Sequence, residues 1–143
     1  MVNIFCVNTE TSKTFREGTT LLEMLPEFAS EFETPHQIIA AKVNNVCQGL
    51  KYRAFNSRQV EFIDYTSYAG RSVYCSSVCF LLCKAAKDLF HGCRVVIRRP
   101  ISKGYYCVIN KADGAPVSQA DVDAITSRMR DIVEADMPFK RHE

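Results

Sequence analysis

Residues 13–28 read KTFREGTTLLEMLPEF, and within them the chain changes from a strand pattern to a helix pattern. Lys13 to Arg16 is a short β-favouring run stopped at Glu17-Gly18. Thr20 can cap the next element, with Glu23 three residues on in a capping-box arrangement. Leu21, Leu22, Met24, Leu25 and Phe28 then give one helical apolar face, and Pro26 leaves the end of that helix open. Upstream, VNIFCV (2–7) reads as a strand and Asn8 to Ser12 as the turn of a hairpin. Downstream, a polar break at 31–35 precedes a strand over Ile38–Val43. Asn44-Asn45 is a turn pair able to take positive φ, Val46-Cys47 pairs back, and Gln59–Asp64 is the last strand.

The order hairpin, helix, hairpin, final strand is that of a small β-grasp module. After the linker Tyr65–Gly70, residues 70–90, GRSVYCSSVCFLLCKAAKDLF, read as a long helix. A helix turns about 100° per residue. Projected from Tyr74, the helix therefore places Tyr74, Val78, Leu81, Leu82, Ala85, Ala86 and Leu89 on one broad apolar arc. Cys75, Cys79 and Cys83 lie along its edge, and Ser76, Phe80, Lys84 and Lys87 share the opposite side with Ser77 and Asp88. Cys93–Arg99 alternates as a strand, Pro100–Gly104 reads as a turn, and Tyr105–Ile109 pairs back. Ser118 caps a helix from Gln119 to Glu134, with Asp121 completing the box and Val122, Ile125, Met129 and Ile132 as its inner stripe. The expected class is α+β in two domains, 1–66 and 70–143.

Composition is that of an ordinary folded chain: 47% hydrophobic, 24% charged, net charge +2. So mild a charge neither demands nor excludes a nucleic acid. No apolar run approaches the roughly 20 residues that span a bilayer, and the N-terminus lacks the basic and apolar regions of a signal peptide. No membrane partner is expected, and the cytoplasm is the expected location. Seven cysteines without Cys-x-x-Cys or zinc-ribbon spacing are expected to be buried, reduced thiols rather than metal ligands.

No residue set reads as catalytic. His36, His91 and His142 are scattered, none beside a nucleophile motif; His36 is expected to be exposed in a loop and His91 to lie at a helix C-terminus. The six glycines never take the P-loop spacing. Asp121/Asp123 and Asp131/Glu134 read as a solvated helix face. The basic candidates are Lys51, Arg53 and Arg58, and a second group of Arg94, Arg98, Arg99 and Lys103 interleaved with Tyr105 and Tyr106, a pattern suited to RNA phosphates and bases. Phe80, large and apolar on a polar helix side, is either covered by another element or fills a pocket.

Three segments, Phe15–Leu22 (FREGTTLL), Ala41–Asn45 (AKVNN) and Val60–Ile63 (VEFI), resemble the TGS domain of synthetases, GTPases and stringent-response enzymes. The Gly70–Phe90 helix, RPISKGYYCVI (99–109) and VSQADVDAI (117–125) resemble, in order, the second domain of threonyl-tRNA synthetases. That domain hydrolyses mischarged tRNA through a His-x-x-x-His helix. Ser76 and Phe80 stand where those histidines would be, so the resemblance implies a relic cleft, with Lys84, Lys87, Arg98, Arg99, Lys103, Tyr105 and Tyr106 around a ligand- or RNA-binding surface. The same tandem without histidines resembles the N-terminal part of bacterial P-loop uridine kinases. On that resemblance the chain is a non-catalytic fragment, ending inside its second domain, of a kinase that uses ATP and Mg²⁺ in a downstream domain and needs no cofactor here. The alternative is a synthetase fragment or a trans-acting aminoacyl-tRNA deacylase; a third reading is a structural or dimerising region, the oligomeric state being open.

Overall fold

The computed structural model describes residues 1–140; His142 and the last residues of the 70–143 region lie outside the described residues. The architecture is α+β, and the chain divides into two compact units, one covering Met1–Cys75 and one beginning at Ser76.

In the first unit, β1 (Val2–Cys6) and β2 (Thr11–Phe15) form the expected hairpin, in antiparallel register from Val2 opposite Phe15 to Cys6 opposite Thr11. Strand β3 (Thr19–Thr20) leads into α1 (Leu21–Ala29), then β4 (Ala40–Val43), β5 (Val46–Gln48), β6 (Arg53–Ala54) and β7 (Arg58–Ile63). The sheet is mixed, in order β2-β1-β7-β4-β5, with β1 and β7 parallel and the other pairs antiparallel. Thr20 caps α1 as expected: its hydroxyl accepts from the Glu23 amide while Glu23 accepts from the Thr20 amide. Thr19-Thr20 also pairs with Arg53-Ala54, a small ladder absent from the sequence-based expectation. Asn44 and Asn45 both take positive φ in the two-residue turn between β4 and β5, the conformation that this hairpin geometry demands.

One face of the sheet packs on α1. Leu21, Met24 and Phe28 meet Val2, Ile4, Cys6, Val43, Val60 and Phe62 in a single cluster. Asn8 extends the parallel pairing past the end of β1. Its amide oxygen accepts from the Phe62 N–H at 2.7 Å and its amide nitrogen donates to the Phe62 carbonyl at 3.0 Å, so one side chain replaces a strand residue. Asn8→Ala leaves both backbone groups of a buried residue unpaired. The expected loss is about 1–3 kcal/mol, readable as a lower urea midpoint at unchanged slope.

Helix α2 spans Tyr68–Leu89, so it starts inside the stretch expected to be a linker. Ser67 sets this start: its hydroxyl accepts from the Gly70 amide at 3.0 Å, and its carbonyl accepts the first helical bond from Arg71. Two residues earlier in that loop, Tyr65 lies against His36, ring centroids 4.5 Å apart and planes tilted by 38°, so His36, expected to be exposed, is half-buried in its loop.

The second unit holds α2 from Ser76 onward, the hairpin β8 (Arg94–Ile101) and β9 (Gly104–Asn110), and α3 (Gln119–Glu134). Ser118 and Asp121 form the expected capping box. The core gathers Ala85, Ile125 and Ile132, with Leu81, Leu82, Phe90, Ile109 and Met129 against them. Within the α2 arc, Tyr74, Val78 and Leu89 are exposed, as is Val122 of α3; a core this small covers only part of each helix's apolar side. Cys6 and Cys93 are buried, while Cys47 is exposed on the edge strand β5, against the expectation for all seven. No helix among the described residues is long and apolar enough to cross a membrane.

Candidate functional site

The sequence places Pro100 in a turn, yet the structure keeps it in β8, opposite Tyr105, with Ile101 opposite Gly104. The turn is therefore only Ser102-Lys103, with Ser102 at φ +55. The register slips between Ile97, which faces Cys107, and Pro100. Arg98 and Arg99 together stand opposite Tyr106 alone, which is a β-bulge. In a regular strand, neighbouring residues point to opposite faces. The bulge cancels that alternation, and both arginines line one cavity of about 470 Å³ with Ile101 and Tyr106.

Two guanidiniums, a phenol ring and an aliphatic side chain can pair phosphate oxygens and stack a planar group at once. Ile101 is the lining residue that sequence reasoning missed. Pro100 was the available signal, because proline inside a strand marks an edge or a bulge. Lys103 sits at the exposed hairpin turn and Tyr105 is exposed on the strand, but neither lines this cavity.

The α2 candidates form a separate set. Ser76 and Lys87 are exposed. Phe80 is 61% exposed and its ring lies 5.3 Å from that of Phe139, itself equally exposed, so it is neither fully covered nor inside either described cavity. Lys84 is committed within the fold: its ammonium is 2.6 Å from Asp88 Oδ1, while Arg128 donates twice to Asp88 Oδ2, at 3.1 and 2.9 Å. Those hydrogen bonds, that of Lys84 first, hold the Asp88 carboxyl below its usual value. Asp121, expected on a solvated face, pairs with Lys111 at 2.6 Å, and that bond and the cap lower its carboxyl likewise.

Cys107, on the inward side of β9, is half-buried, and burial pushes its thiol up, with Cys79 and Cys83 adding their charge. No three Cys, His, Asp or Glu residues are grouped to hold a metal among the described residues.

Against known proteins, no family model matches the chain. Curated relatives do. The chain is 29% identical over 126 residues to the threonine–tRNA ligase of Desulforamulus reducens, covering 88% of this chain and 19% of that protein. It is 32% identical over 103 residues to that of Maricaulis maris, covering 72% and 16%, and 30% identical over 132 residues to that of Syntrophotalea carbinolica, covering 92% and 20%.

Most of this chain is similar to threonine–tRNA ligases. It spans about a fifth or less of the length of the curated relatives it matches. The nucleoside-kinase expectation draws no support from these relatives, all of which are ligases. The similarity favours the synthetase-like alternative, and it embraces both units, since 132 aligned residues cannot fit in either one.

Proposed function

We propose that this chain is a threonyl-tRNA-synthetase-like region, a TGS-like β-grasp unit (1–66) followed by a second-domain-like unit (70–143), that binds RNA in the cytoplasm without hydrolysing an aminoacyl ester on it. The observation that carries the RNA reading is the bulge in β8, which turns Arg98 and Arg99 to the same cavity as Tyr106. The similarity to tRNA ligases supplies the class of RNA, and the mixed sheet packed on α1 supports the β-grasp reading. Ser76 and Phe80, at the positions that the resemblance gives to paired imidazoles, offer no general base.

The test is tRNA binding by fluorescence anisotropy across a salt series. Affinity is expected to fall steeply with salt, since phosphate contacts release counterions. Arg98→Ala with Arg99→Ala is expected to weaken binding about tenfold and to flatten the salt slope by about two. Seryl-tRNA is expected to keep its ester bond on incubation with the chain. Rapid deacylation would overturn the non-hydrolytic reading, and salt-independent binding unaffected by the arginine changes would overturn the site.

A further inference from the structure

Helix α3 carries more apolar surface than its core uses. Ile125 and Ile132 are buried in the second unit and Met129 packs beside them. Next to this inner stripe runs another, made of Val122, Thr126, Met129 and Val133, at successive spacings of four, three and four residues. That is the spacing of a helix–helix seam. Val122 is 45% and Val133 is 63% exposed. Thr126 belongs to the stripe through its methyl, because its hydroxyl is turned back to donate to the Val122 carbonyl at 2.9 Å. The seam borders a groove of about 340 Å³, lined by Leu81, Thr126, Met129, Arg130, Val133 and Glu134.

The charges beside the seam select its occupant. On the flank away from the core stand Asp123 and Arg130, seven residues and so about 10 Å apart along the axis. Asp123 is exposed and takes one hydrogen bond, from Gln119 of the same helix. Arg130 is exposed at the groove. By contrast Arg128, two residues earlier, is spent on Asp88. An acid and a base placed symmetrically about Thr126-Ser127 are self-complementary under a two-fold axis through that point. Antiparallel docking of the same helix about that point sets each Asp123 level with the second copy's Arg130, and each Val122 within two residues, about 3 Å along the axis, of its Val133. An isologous surface has this property and a surface for an unrelated partner need not.

We propose that this outer stripe of α3 is a two-fold interface on which a second copy of the chain docks antiparallel. Val122 and Val133 close its two ends, Thr126 and Met129 fill its centre, and the Asp123–Arg130 pairs fix its direction. The surface is separate from the bulge cavity of β8 and does not depend on RNA binding.

Sedimentation equilibrium of the 143-residue chain tests this. The weight-average mass is expected to rise with concentration from 16.2 kDa towards twice that value. Val133→Asp, at an exposed site, is expected to keep the far-ultraviolet circular dichroism and abolish the rise. Arg130→Asp alone and Asp123→Arg alone are each expected to weaken association at least tenfold, while an equimolar mixture of these two variants regains it, because their charges complement one another. A chain that stays at 16.2 kDa up to millimolar concentration overturns the proposal. So does a dimer that survives Val133→Asp, and so does a mixture that fails to recover.

Discussion

Phe28→Ala is expected to remove about 3–5 kcal/mol from the stability of the first unit. Phe28 has no exposed surface and is among the largest fully buried side chains. Its ring centroid lies 5.8 Å from that of Phe15 and 6.2 Å from that of Phe62, both tilted, and the Lys13 ammonium sits 5.0 Å above it. Truncation loses the transfer energy of the ring and leaves a cavity between α1 and the sheet that these neighbours cannot fill without leaving their own positions. A domain holds about 5–15 kcal/mol in total, so a fifth or more of the unit's stability goes with one side chain. Phe28→Leu, which keeps much of the volume, is expected to cost markedly less. Urea unfolding followed by circular dichroism measures both, and equal losses for Ala and Leu would show that ring packing is not the cause.

The second large effect reverses an ordinary rule. Glycine to alanine inside a helix normally stabilises by about 1 kcal/mol. At Gly70 the expected change is a loss of about 3 kcal/mol or more. A Cβ there would stand 1.7 Å from the Asp64 carbonyl oxygen and 2.7 Å from its carbon, both backbone atoms. The loop cannot simply yield. Asp64 is buried, its carboxylate accepts from the Thr66 amide and hydroxyl, and its carbonyl accepts from the Ser67 hydroxyl that also caps α2. Either the cap or the end of β7 must shift, and the steric term outweighs the propensity gain. Gly49→Ala is the control, since nothing lies within 4 Å of a Cβ at that position. Its midpoint is expected to stay within about 0.5 kcal/mol of the parent. A stabilised Gly70→Ala protein would remove the close approach as the reason for glycine.

Gly70 also shows what kind of information the sequence holds. Its place at the head of a long helix is visible in the chain, whereas its closeness to the carbonyl of Asp64, the residue after β7, is set by how the Asp64–Ser67 turn folds back. The two capping boxes, Thr20 with Glu23 and Ser118 with Asp121, and the Asn44-Asn45 turn are visible for a simple reason. Each is satisfied by partners within three or four residues, so its chemistry is complete before any tertiary contact forms. The exposed outer stripe of α3 obeys another logic. Apolar periodicity tells which residues would suit a core, but the number of elements available decides how many are covered. With one hairpin and one neighbouring helix, Ile125 and Ile132 are buried and Val122 and Val133 are left outside.

The candidate site divides in the same way. The interleaving of Arg98, Arg99, Tyr105 and Tyr106, and the substitution of Ser76 and Phe80 at the resemblance's histidine positions, are properties of the sequence alone. What the sequence could not decide is which of those groups act together. Alternation along a strand would separate Arg98 from Arg99, and only pairing with β9 reveals the extra residue that brings both to Tyr106. Lys84 meets Asp88 from four residues away on its own helix, a pairing the spacing allows, and only the approach of α3 adds Arg128 to the same carboxylate. Caps and turns are written in neighbours along the chain. The partners of an arginine on a bulge or an aspartate on a helix can lie on another element, as Arg128 lies 40 residues from Asp88, and there the fold chooses them.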